Sequence, residues 1–470
     1  MTRVVTVSNR TPGHGVQSRS GGLVVALSRT TRAHGGLWFG WSGTVRPGGP
    51  TAPALREADG VCHATIDLSP DDYAGFYLGY SNAVLWPLCH GFAAGADPQG
   101  SHYRSYQHVN SRYASALLPL LRHQDVVWVH DYHLLPLGRW LRAAGADQRI
   151  GFFLHVPFPD PSALQALPDG AELVRAMFAY DAIGFQTQGD LDGFVRAARW
   201  ACGEAHLHPD GVLQTGDQVT RVGVFPIGID LAAVADEVAT SRTARRVIEA
   251  RELRRRHTLF VAADRLVASK GLAHRLRAYD AYLRQAPPSQ RPPLFLQIAA
   301  PQVHGTPVDA QLAATVDRMA AQIDSAHAGA AATRLRYLRE SVPHAELMGM
   351  LRAAHVGLVT PLRDGMNLVA KEFVAAQDPE DPGVLVLSVH AGAARELDSA
   401  LQVDPLDTVA VAAAMRRAAE SSLAERRERH QAMFTALGRH DLRAWHTTFL
   451  DRLTQCPSAS ATRVDEALAC

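Results

Sequence analysis

Cysteine is scarce in this 470-residue chain: Cys62, Cys89, Cys202, Cys456 and Cys470 are odd in number and share no close spacing. That excludes a disulfide framework and a zinc knuckle, and it suits a reducing cytosol. No window approaches the ~20 consecutive apolar residues that span a bilayer. The start, MTRVVTVSNR, reads as a strand and lacks the apolar core of a signal peptide. Charge of one sign is missing too. Lysine and arginine (47) balance aspartate and glutamate (46), leaving no field that favours nucleic acid or membrane. The basic run from Arg242 to Arg256 is interleaved with Val247, Ile248 and Leu253 and reads as a solvated helix face. No GxxxxGK[ST] sequence occurs, which disfavours a P-loop nucleotidase. What remains is a soluble, cytoplasmic globular enzyme, 47% apolar and 20% charged. Its length exceeds what one core serves, so two domains are expected.

Short β-branched or aromatic runs recur between helix-length segments: VVTVS (4–8), VVWVH (126–130), IGFFLH (150–155), AIGFQT (182–187), VGVF (222–225), TLFVAA (258–263), LFLQIA (294–299), VGLVT (356–360) and VLVLS (384–388). Runs apolar on both faces, separated by helices, indicate parallel sheets in an α/β protein. Ligands in such sheets gather beyond the carboxyl ends of the strands. Polar clusters stand at those ends: SNR, HDYH, HVPFP, ADRL and RDGMN. Pro and Gly in FPIGID (225–230) mark a boundary between two doubly wound lobes with a cleft between them. The tail after Cys456, rich in Ser, Ala and Thr, is expected to be disordered.

Four clusters carry candidate chemistry. In LVTPLRDGMNLVAKEF (358–373), Gly365 permits close backbone approach, and the following helix should set Val369, Phe373 and Ala376 on one face. The free amides of its first turn suit a phosphate. Asp364 is placed to bind sugar hydroxyls and Glu372 to accept from vicinal ribose hydroxyls, although a helix capped by Asp364 with an exposed Glu372 fits the same residues. In ADRLVASKGL (263–272), Arg265 and Lys270 are suited to neutralise a leaving diphosphate, or form ordinary surface pairs. His130, Asp131, His133 and His155 suggest a metal. Neighbours in HDYH would fall on opposite strand faces, however, and no cysteine or second acid completes a ligand set, so Asp131 and His155 read better as sugar-pocket residues. Glycines beside aromatics in SGGLVVAL (20–27), WFGWSG (38–43) and FYLGYSNAVLWPL (76–88) suit phosphate contact and stacking on sugars, with Trp38 and Phe39 equally suited to the core.

These runs in this order, together with WVHDYHLLPL, YDAIGFQT, TPLRDGMNLVAKEFVAAQDP and PGVLVLSVHAGAARELDSALQVDP, resemble the trehalose-6-phosphate synthase family, retaining glycosyltransferases of the two-lobed GT-B class. The resemblance runs from Val4 to about Leu453. It implies two Rossmann-like domains: 1–228 for the acceptor, 229–440 for the nucleotide-sugar donor, a helix at 441–456 returning to the first domain, and a tail at 457–470. It implies that Gly22, Arg265, Lys270 and the backbone of Gly365, Met366, Asn367, Leu368 and Val369 hold the donor diphosphate and sugar. Asp364 would bind the sugar, Glu372 the ribose, and His155 the reacting face, with Asp131 near both sugars. Arg10, Trp41, Tyr77 and Trp86 would hold glucose 6-phosphate. No cofactor, metal or protein nucleophile is expected. UDP- or GDP-glucose is the expected donor, the partners are small molecules, and a homo-oligomer is implied.

The chain departs from the family at two places. The loop AAPQVHG carries Val303 where the family has a phosphate-gripping arginine, with His304 adjacent, and RLVASKG has Val267 and Ala268 in place of Asp and Tyr. These departures raise a second reading, transfer to an unphosphorylated or modified sugar, and leave a third, an inactive sugar-nucleotide sensor.

Overall fold

All nine apolar runs become strands, eight of them buried almost throughout and VGVF half-buried. The computed structural model describes residues 3–456 apart from 13–26, 29–30, 33–35, 49–51, 59, 96, 98, 287–290, 302–306 and 328–332. The described residues fall into two compact units, one drawn from 3–226 and 445–456, the other spanning 227–444.

In the first unit the strands are β1 (Val4–Arg10), β2 (Leu37–Val45), β3 (Ala54–Ala58), β4 (Val61–Leu68), β5 (Val126–His130), β6 (Arg149–Phe153), β7 (Ala182–Phe185), β8 (His206–Leu207), β9 (Val212–Thr215) and β10 (Gln218–Val224). They form one sheet in the order β3-β4-β2-β1-β5-β6-β7-β10-β9-β8. The seven strands from β4 to β10 in that order are parallel, and antiparallel β3 and β9-β8 close its edges. The second unit contains β11 (Thr258–Arg265), β12 (Pro293–Ala300), β13 (Leu335–Leu338), β14 (Val356–Val359), β15 (Val384–Ser388) and β16 (Leu401–Val403). These are all parallel, in the order β13-β12-β11-β14-β15-β16. Each sheet thus winds outward in both directions from a central pair, β1/β5 and β11/β14. Those pairs are the switch points where ligand crevices open in α/β sheets.

Two sequence expectations shift. Trp38 and Phe39 take the core role open to them rather than a stacking one, in the buried half of β2. SNR does not follow β1 but completes it, with a register shift that brings Arg10 opposite Trp41. The basic run forms the helix Arg245–Arg256, whose Val247 and Ala250 are buried while Ile248 is exposed.

The helix Leu442–Thr454 lies on the first sheet. Phe449 stacks on Trp128 of β5 at 4.7 Å between centroids, and Trp445 meets Phe153 of β6 edge-on at 5.1 Å. Glycines in β6 and β7 make room for it. A Cβ on Gly151 would lie 2.7 Å from Leu453 and 2.9 Å from Phe449, and one on Gly184 would lie 2.9 Å from Phe449. Gly151→Val is therefore expected to lower stability by about 1–3 kcal/mol, as overpacking does, read as a fall in Tm. Gly189→Ala, in the helix Gln188–Cys202 with its nearest neighbour at 3.8 Å, is expected to leave Tm equal or higher. Equal Tm for wild type and Gly151→Val would remove this account of helix docking.

Candidate functional site

The second unit gathers its chemistry at the β11/β14 switch point. Arg265 ends β11 in an exposed position, and Lys270 closes the short turn Ala268–Lys270 that follows. Gly271 then adopts a left-handed φ of 69°, where a Cβ would also lie 2.7 Å from the Thr360 carbonyl. This close approach lets Leu362 N donate to Ser269 O at 2.7 Å and brings the RDGMN segment beside Lys270. Lys270 Nζ forms an ion pair with Asp364, and Asn367 Nδ2 donates to the same carboxylate oxygen at 2.9 Å. The backbone of Asp364 is clamped as well: its N–H donates to His390 O at 3.1 Å, and its carbonyl accepts from Gly392 N at 3.2 Å. Gly392 is indispensable here, since any Cβ would overlap the Gly365 carbonyl. The tight approach expected of Gly365 is therefore supplied from the facing strand connection.

The helix begins at Leu368, with Asn367 in the left-handed region (φ 71°) as its N-cap and without a side-chain cap bond. Asp364 is thus not the cap, and among the described residues no side chain bonds to the amides of Leu368 and Val369, which suits them to an anion. The helix is not one-faced. Phe373 and Ala376 are buried and Val369 is half-buried, but Ala370, Lys371, Glu372 and Val374 are buried too. Glu372, far from being exposed, accepts from His344 Nε2 at 2.9 Å, while His344 Nδ1 lies 2.6 Å from Glu237. Burial alone would lower the His344 pKa, but hydrogen bonds to Glu237 and Glu372 override it and raise the value to about 10. His344 is an imidazolium that fixes the orientation of the Glu372 carboxylate.

The first unit gathers the other candidates around β1/β5. The Arg10 guanidinium lies 5.6 Å from the centre of the Trp41 ring. Trp41 and Tyr77 are 5.5 Å apart, Tyr77 stacks on His133 at 6.0 Å, and Trp86 joins through Tyr132 at 5.8 Å. Tyr73, which the sequence reading passed over, stacks on Tyr77 at 5.5 Å. Residues Tyr73–Leu85 form a π-helix, an unusually long one. Its wider winding explains the grouping. Tyr77 and Trp86 lie about two π turns apart and share a side, whereas at 3.6 residues per turn they would be about two and a half turns apart, on opposite sides.

The strand β5 stops at His130, and Asp131 (φ 77°) breaks it, so the expected alternation of HDYH across a strand does not occur. Asp131 Oδ1 accepts from His155 N at 3.2 Å, joining these two candidates. His133 instead turns toward Tyr77, so the four residues do not converge as metal ligands. Among the described residues no group of three His, Cys, Asp or Glu side chains has ligand geometry. Burial pushes both His155 and His133 down to about 3, so both are neutral at ordinary pH. Gly22, Val303 and His304 lie outside the described residues.

Three residues the sequence reading missed support the second unit's site: His344, Arg275 and Lys371. Arg275 is fully buried beneath the Lys270 turn, bonded to Asp264, to Gln297 at 3.0 Å, to Thr360 at 2.9 Å and to the Lys270 carbonyl at 3.2 Å. Lys371 donates from the helix interior to Glu396 at 2.6 Å and to Ile227 O at 2.7 Å. One signal was available. The sequence contains two lysines, Lys270 and Lys371, every other basic residue among its 47 being arginine. Both stand where a compact ammonium with short donors is in use.

Because His344 is raised from 6.5 to about 10, its contribution to stability is complete below pH 6.5 and fades as pH climbs toward 10. Relative to His344→Gln, the wild type should show its largest Tm advantage at or below pH 6.5 and lose it near pH 10. An advantage that stays constant across that range would contradict the charged clamp.

Residues 3–455 match the family model of glycosyltransferase family 20. The trehalose-6-phosphate synthase of Sinorhizobium fredii is 40% identical over 458 residues, covering 97% of this chain and 98% of that protein. An α,α-trehalose-phosphate synthase (UDP-forming) from Burkholderia xenovorans, solved in complex with glucose-6-phosphate, superposes with a TM-score of 0.91 at 38% identity, covering 96% of this chain and 100% of that one. An E. coli structure bound with UDP-2-fluoro glucose gives a TM-score of 0.91 at 37% identity, with 97% and 100% covered. The fold is therefore that of GT-B enzymes, two Rossmann-like parallel-sheet domains, and with a family match along nearly its whole length this chain belongs to glycosyltransferase family 20.

Proposed function

We propose that this glycosyltransferase moves a glucose-type hexose from a nucleoside diphosphate, UDP or GDP, to the anomeric hydroxyl of glucose 6-phosphate, forming an α,α-1,1 linkage with retention. The observation that carries the donor side is the constellation at β11/β14. Arg265, the Lys270–Asp364 ion pair and a helix start with no side-chain cap among the described residues stand at these strand ends, with a second carboxylate, Glu372, held in place by His344.

In this reading the donor diphosphate lies against Gly22, the backbone from Gly365 through Met366, Asn367 and Leu368 to Val369, and the side chains of Arg265 and Lys270. Asp364 binds the donor sugar and Glu372 the ribose hydroxyls. Lys270 and Asp364 neutralise each other beforehand, so donor binding exchanges an internal ion pair for contacts to phosphate and sugar. The glycosidic bond breaks as negative charge builds on the leaving phosphate, and fixed positive charge there lowers the barrier. The acceptor hydroxyl attacks from the face the phosphate leaves, and the departing phosphate oxygen takes its proton. No metal and no protein nucleophile enter. His155, neutral through burial, serves as a hydrogen-bonding group at the reacting face rather than as an acid, with Asp131 beside both sugars. Arg10, Trp41, Tyr77 and Trp86 receive the acceptor, the aromatics along its ring and Arg10 at its phosphate.

The two other readings of the sequence, an unphosphorylated acceptor and an inactive sensor, find no support among relatives named for the phosphorylated product. Division of labour between residues 1–228 and 229–440, with 441–456 returning to the first domain, belongs to the same proposal, as do a homo-oligomer and a cytoplasmic location. No described helix is long and apolar enough to cross a membrane.

The test is a screen of nucleotide sugars against glucose 6-phosphate and free glucose, reading nucleoside diphosphate release. Rapid turnover with UDP- or GDP-glucose and glucose 6-phosphate is expected, and faster turnover with free glucose would reject the acceptor. Arg265→Ala and Lys270→Ala should each lower kcat/KM by about 100-fold or more with every acceptor, the scale of losing one donor to developing charge. Full activity in either variant would show that the diphosphate binds elsewhere.

A further inference from the structure

The proposed contact between His155 and the donor sugar leaves open which ring nitrogen carries the proton. His155 Nε2 lies 3.1 Å from His130 Nδ1. Burial drives both imidazoles toward the neutral form, so a single proton lies between them. Either His130 donates from Nδ1, or His155 donates from Nε2. A neutral imidazole has one N–H and one lone pair, so the answer depends on the far nitrogen of His130.

That nitrogen, Nε2, is buried without a partner among the described residues. Were His155 the donor, His130 would have to carry its own proton on Nε2, as an orphaned buried N–H. Such groups are rarer in folded proteins than unmet acceptors, and costly. The surroundings sharpen the choice. The His130 ring is 4.7 Å from Trp128 and 6.4 Å from Trp445, centroid to centroid. The indole Nε1–H groups of both tryptophans are also buried without acceptors. Indole nitrogen only donates. A third N–H in this pocket would add a donor where acceptors are already lacking, whereas a bare Nε2 adds none and leaves only an unmet lone pair, the less costly orphan.

We infer that His130 is a positioning residue that holds His155 in its Nδ1–H tautomer, so that His155 meets the donor sugar as a hydrogen-bond donor. The inference rests on the reading that His155 faces that sugar. His155 is then fixed twice from the end of β5: its ring by His130 and its main-chain N–H by Asp131. Neighbouring residues of HDYH thus share one task, the first setting the proton and the second the backbone. The sugar hydroxyl that His155 meets acts as acceptor there, and its own proton is left for another partner.

Neutron diffraction from wild-type crystals exchanged into D2O reads the tautomer directly. Deuterium is expected on Nδ1 of both His130 and His155 and on neither Nε2. Deuterium on His155 Nε2 overturns the inference. Two variants give a functional readout. His130→Asn keeps an N–H near the Nδ1 position and should hold kcat within about 3-fold, whereas His130→Asp, which only accepts when ionised, should lower kcat by about 10-fold or more with the acceptor KM unchanged, the scale of one misdirected hydrogen bond. Equal activity of the two, or greater activity in His130→Asp, also overturns it. His155→Ala separates the layers. Normal turnover in that variant would reject the placement of His155 at the sugar, while the neutron map alone decides the tautomer.

Discussion

A single buried guanidinium underlies the switch point of the second sheet. Arg275, with no exposed side-chain surface, binds Asp264 near the end of β11, the amide of Gln297 within β12, the hydroxyl that follows β14 and the carbonyl of Lys270. Three strands and the cationic turn are thereby fixed to one rigid planar group. Burying such a charge is costly unless its donors are met, and here Asp264 neutralises it while neutral acceptors satisfy the rest. Removing any partner would leave charge stranded in the interior, so the group is held to one geometry. That geometry is what lets Lys270 reach Asp364, and through it the start of the helix at Leu368.

Burial also sorts the histidines by charge. His130, His133 and His155 sit among aromatic rings, with no carboxylate of the described residues bonded to a ring nitrogen, and desolvation keeps them neutral. His344 is also largely enclosed, but between Glu237 and Glu372, and it stays charged. The same side chain is a neutral hydrogen-bonding group in the first unit and a cation in the second. The proposed reaction, whose proton passes to the departing phosphate, asks for few groups that titrate near neutrality, and these four histidines all titrate away from it.

Much of this was legible in the sequence. The nine central strands were visible because burial writes an unbroken apolar run, and the candidate residues of the second unit stood out because they sit at the ends of those runs. β2 was hidden by its glycines and tryptophans, which suit phosphate contact and sugar stacking as well as a strand, and β3, β8 and β9 by the weak patterning of short edge strands. The π-helix at Tyr73–Leu85 could not be read, since its hydrophobic residues fit no α-helical or strand period. His344 was illegible for a different reason. A lone histidine after proline has no local signature, and its two glutamates come from distant stretches of chain. Gly392 acts on Gly365 across a strand connection, a tertiary relation with no sequence spacing behind it.

The scarcity of lysine has a consequence for how the molecule meets reactive small molecules. Of its two side-chain amines, one is sealed between Glu396 and the Ile227 carbonyl, with no exposed surface. The other is Lys270, partly open at the switch point of the second sheet. To an acylating or aldehyde reagent the side chains therefore present a single addressable ammonium. The rest of the positively charged surface, being guanidinium, is chemically silent toward such reagents. Covalent chemistry aimed at lysine is, in this chain, chemistry aimed at one site.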